Sequence, residues 1–67
     1  MTAEPMGKLE LVAGMKADLA IELEVIAIYE NALTLAEDEQ VKAKIKDLLW
    51  QSYEHADFFR KQIALRE

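Results

Sequence analysis

The sequence contains no cysteine, which excludes both disulfide staples and thiolate metal sites. A chain of 67 residues is one domain at most, and one this short rarely fills a sufficient core alone. Without disulfides, the remaining supports are self-association or a metal held by histidine and carboxylates. The missing cysteines also suit a reducing cytoplasm, the expected location. Basic residues are scarce, with 8 Lys and Arg against 13 acids and a net charge of −5. That balance argues against the phosphate backbones and anionic lipids that clustered cations attract, and it suits a protein that collects cations. Long apolar runs are missing too. The run Val25 to Tyr29 is far too short to cross a bilayer, and Met1 to Gly7 lacks the basic segment and apolar stretch of a secretory signal. Neither nucleic acid nor membrane is an expected partner.

Proline and glycine are also few, and their positions are informative. Pro5 and Gly7 mark a loose N-terminus, and no further proline follows. From about Lys8 to Ala36 the residues are mostly helix formers. Val12, Met15, Leu19, Glu22, Ile26, Tyr29 and Leu33 recur at steps of three and four, one face of a helix. Gly14 interrupts this stretch at a cost of roughly 1 kcal/mol against alanine, unless close packing requires it. Glu37, Asp38 and Glu39 then break the pattern as a turn, with Asp38 placed to cap a second helix and Glu39 in its first turn. That helix is predicted over about 40–65, with Ile45, Leu48, Ser52, His55, Phe59 and Ile63 as its inner stripe, broadened by Leu49, Ala56 and Phe58. No strand alternation, repeat or low-complexity segment is present. Residues 1–67 therefore read as a single all-α, antiparallel two-helix hairpin.

The first helix is apolar well beyond one face. Ile21, Leu23, Val25, Ile28 and Leu35 lie off its main stripe, so one partner helix cannot cover them all. In so short a chain the cover must come from other copies. The minimal solution is a four-helix bundle formed by dimerisation, and multiples of that dimer are the extension.

Three inner positions are polar: Glu22, Ser52 and His55. An ionised carboxylate removed from water costs several kcal/mol unless it is paired or metal-bound. In an antiparallel hairpin, residues equidistant from the turn share a height. The midpoint of Glu22 and His55 falls between Asp38 and Glu39, so these two should face each other. By the same rule Ser52 lies opposite Val25, and Tyr29 opposite Leu48. Read without any family, the pair is a metal site, a charge-assisted hydrogen bond that fixes register, or two unrelated solvent-facing positions. Tyr29 is equally a core tyrosine, and Glu24 and Glu30 are more simply a solvated face.

The spacing Glu22-x6-Tyr29 resembles the Glu-x6-Tyr element of ferritins. The stretch Ile21 to Tyr29, together with Tyr53-Glu54-His55-Ala56, is similar to the encapsulated ferritins, short two-helix, rubrerythrin-like proteins. The similarity spans about Leu19 to Ile63. It implies a ferritin-like four-helix bundle, a metal site between two chains, iron as the metal and Fe(II) oxidation as the activity. It also implies an annular assembly and an encapsulin shell as partner. Carried over, Glu22 and His55 match metal ligands, Glu24 an acid near the entry path and Tyr29 a tyrosine beside the metal. The family's second helix reads Glu-x-x-His, and Ser52 occupies that glutamate position. Ile21 replaces a further entry-path acid. The ligand count follows from that departure. Two chains supply two Glu22 and two His55, whereas di-iron bundles use about four carboxylates and two histidines. One Fe, Zn or Mn ion per dimer fits better. Glu54 is a further candidate ligand, although it and Asp57 lie about 100° and 200° around the helix from His55. The alternative is a non-catalytic helical oligomerisation module whose ferritin-like site has decayed.

Overall fold

The computed structural model describes the backbone of residues 4–67 and the side chains of residues 7–67, so the reading of Met1 to Ala3 lies outside the described residues. Two helices account for nearly all of it: α1, Glu4–Leu35, and α2, Glu39–Arg66. They pack against each other along a rod of 55 × 15 × 15 Å. No strand occurs among the described residues.

α1 begins four residues earlier than the sequence suggests. Pro5, expected with Gly7 to mark a loose N-terminus, sits in the first helical turn, where its missing N–H would have no partner anyway and its fixed φ suits the helix. The turn is Ala36 to Asp38, shifted by one residue from the expected 37–39. Asp38 caps α2 as predicted. Its carboxylate accepts from the backbone N–H groups of Gln40 at 2.7 Å and Val41 at 3.2 Å, two donors that would otherwise be orphaned at the helix start. Glu39 in the first turn and Arg66 in the last have the signs the helix dipole favours.

The seam between the helices is thin. Its buried apolar residues are Met15 and Ile26 from α1, with Leu49, Ala56 and Ile63 from α2. Leu19 and Tyr29 pack half-buried against the central cluster of Ile26, Leu49 and Ala56. The main stripe predicted for α1 is the one that faces α2. On α2 the buried line runs through Leu49, Ser52, Ala56 and Ile63, while His55 and Phe58 stand at its edge, exposed. Much apolar surface remains outside, including Ile21, Ile28 and Leu35 of α1 and Trp50 and Phe58 of α2.

Candidate metal centre

Two cross-helix polar contacts join α1 to α2 near the middle of the rod. The first is the predicted one: His55 Nδ1 lies 3.1 Å from Glu22 Oε2. An ionised carboxylate only accepts hydrogen bonds, so Nδ1 carries the proton and donates. That fixes the tautomer in which Nε2 bears the lone pair, the arrangement found where a carboxylate orients a metal-binding imidazole. The Glu22 side chain is 21% exposed and that of His55 60%, so the pair lies on the rim of the hairpin and not within its seam. The reason is helical phase. On α2, Ser52 and Ala56 point at α1 at 6% and 1% exposure, and His55 is turned one position, about 100°, away from Ala56.

Ser52 is the single buried polar residue among those described, and it lies in the seam where the resemblance expects a glutamate. Tyr29 is half-buried and packed on Ile26, Leu49 and Ala56. Glu24 and Glu54 are both exposed, as is Asp57, which is held by Lys61 at 2.9 Å. Among the described residues of one chain, no three histidine, aspartate or glutamate side chains converge as a metal-holding group. One hairpin therefore brings together two of the expected ligands, Glu22 and His55.

The second contact was not foreseen. Tyr53 donates its phenol to Glu30 Oε2 at 2.6 Å, on the opposite edge of the hairpin from His55. That hydrogen bond, with minor desolvation and the repulsion between Glu30 and a phenolate, raises the Tyr53 pKa above 10.0. The two residues do not share a height by the midpoint rule. The long side chains reach diagonally, and simple pairing arithmetic misses such contacts.

At the open end of the hairpin, a cleft of about 720 Å³ is lined by Lys8, Leu9, Val12 and Ala13 with Lys16, Arg66 and Glu67. Lys16 is paired with Glu67, and Arg66 with Gln62, so its cations are largely occupied. None of the described helices is long and apolar enough to cross a membrane. No family model matches the chain, and comparison with curated proteins and with solved structures found no match.

Proposed function

We propose that this protein binds a divalent metal, iron in the first place, through Glu22 and His55 of two chains brought together in a ferritin-like four-helix bundle. The observation that carries the reading is the 3.1 Å contact between Glu22 and His55, which orients an imidazole toward the outer face of a hairpin too thin to be complete. The donor set fits a borderline cation: one carboxylate and one imidazole per chain, two of each per dimer. Bound iron would supply the redox chemistry of Fe(II) oxidation. The protein's own part is to hold the imidazole tautomer through Glu22 and, with Tyr29 packed alongside, to keep the ligands rigid. Zinc or manganese satisfies the same donors. Glu24 and Glu54, both exposed, are outer candidates for attracting cations. An encapsulin shell and a cytoplasmic setting belong to the same reading through the family resemblance.

A second reading rests on Ser52. A buried hydroxyl in place of a glutamate removes two carboxylates per dimer, which favours a helical oligomerisation module whose site has lost its metal. Melting temperature measured with and without Fe(II), Zn(II) or Mn(II) separates the two. A rise that saturates near one ion per dimer supports the metal site. An unchanged melting temperature with every ion supports the module.

A further inference from the structure

The cleft at the open end of the hairpin has no part in the metal-site reading. Its volume, about 720 Å³, lies within the range of small-molecule sites. One wall is a stretch of α1 in which Leu9, Val12 and Ala13 share a single turn, with Lys8 before them and Lys16 after. The other wall is the last turn of α2, which contributes Arg66, with Glu67 beyond it.

Charge sets this end apart. Three of its lining side chains are cationic and one is anionic, in a chain of 8 bases and 13 acids. Glu67 offsets Lys16. Arg66 is held differently. Its Nη1 donates to the Gln62 backbone carbonyl at 3.0 Å and to the Gln62 side-chain Oε1 at 2.6 Å. Both acceptors are neutral, so they occupy and position the guanidinium without cancelling its charge. Only Nη1 is engaged among the described residues, and the edge formed by Nε and Nη2 has the fork spacing that a carboxylate accepts with both oxygens. Arg66 is half-buried, where a charge pair is worth more than in open water.

We infer that this cleft binds a small amphiphilic carboxylate, an aliphatic acid whose head group pairs with Arg66 and whose tail lies along Leu9, Val12 and Ala13. Charge complementarity selects the sign of the head group. Glu67 on the same rim repels a second negative charge, which favours a carboxylate over a phosphate monoester. The apolar wall selects the tail. Leu9 is 71% exposed, so an alkyl chain laid against it takes apolar surface of both partners out of water. An inorganic anion would gain nothing from that wall. Along α2, Arg66 lies about 16 Å from His55, so carboxylate and metal bind at separate places.

Backbone amide chemical shifts of metal-free protein, titrated separately with octanoate, octanol and octylammonium, test this. Octanoate should saturate and move the amides of residues 8–16 and 62–67. It should bind roughly tenfold tighter than hexanoate, which has two fewer methylenes to bury. Octanol should bind at least tenfold more weakly than octanoate, and octylammonium should leave these amides unmoved. Arg66→Gln changes a residue at the end of α2, so helical circular dichroism should stay the same while octanoate binding weakens about tenfold. Several results would overturn the inference. Equal affinity for octanoate and octanol would remove the head-group site, as would unchanged affinity in Arg66→Gln. Shifts centred on the exposed Ile28 and Phe58 would mark general apolar adhesion in place of the cleft. Shifts that never saturate would mean that no site exists. Because metal is absent throughout, none of these outcomes bears on Glu22 and His55.

Discussion

Glu22 and His55 are separated by 33 positions and meet because the chain folds back at Asp38. A contact of this kind on an exposed rim contributes little by itself, since water competes for both groups. Its importance is chemical: the carboxylate sets which imidazole nitrogen faces outward. His55→Ala should therefore barely change the melting temperature of metal-free protein, and should abolish any rise produced by divalent metal. The rise itself should weaken as pH falls, because protons and metal compete for the same ligands. Calorimetry with and without a chelator measures both. Ser52 gives the complementary prediction. At 6% exposure, Ser52→Glu should cost a few kcal/mol without metal, since it forces a carboxylate into the seam. With Fe(II) the variant should recover stability, bind two ions per dimer and oxidise them faster than the unmodified protein. Stopped-flow absorbance of Fe(III) follows this, and fast oxidation by the unmodified protein would show that a residue other than these completes the site.

The two helices and their facing stripe were legible because helical signals are local. The period of three and four, the Asp38 cap and the charges of the last turn are each contained within a few residues. Asp38→Ala should destabilise α2 by about 1 kcal/mol, measured by chemical denaturation, because it orphans two N–H groups now bonded to its carboxylate. The N-terminal boundary was misplaced because Pro5 is neutral in a first turn and forbidden deeper in a helix, and sequence alone did not say which turn it occupied. The Tyr53–Glu30 contact escaped for another reason, its dependence on two long side chains reaching diagonally across the hairpin. It carries its own pH prediction. The phenol is favoured in its neutral form, so this contact is present below pH 10.0 and is lost as pH rises through the raised folded value. Tyrosinate absorbance should show one late-titrating tyrosine, and Glu30→Gln should remove the delay at that residue.

At the scale of the whole molecule, the apolar circumference of α1 led to the expectation of cover from outside the hairpin, and the structure shows which apolar residues the hairpin leaves exposed. A radius of gyration of 15.9 Å compares with about 11 Å for a compact domain of this length. Among the described residues only five apolar side chains are buried, a small core for two helices of 32 and 28 residues. The sequence showed which residues lay off the main stripe, and the packed pair adds which of them stay exposed, namely Ile21, Leu23, Ile28 and Leu35, while Val25 is half-buried. Stability should accordingly depend on protein concentration, with the melting temperature rising on each tenfold increase, as mass action demands when folding and association are linked. Ile28→Asp should dissociate the protein and lower its melting temperature sharply, because it replaces an apolar side chain left exposed on α1 by a charge that association there would bury. Ala43→Asp adds the same charge on an exposed position of α2 and should leave association intact. Sedimentation of both variants decides between a specific face and general apolar adhesion: equal loss of association in both would mean that net charge, and not the exposed face at Ile28, governs assembly.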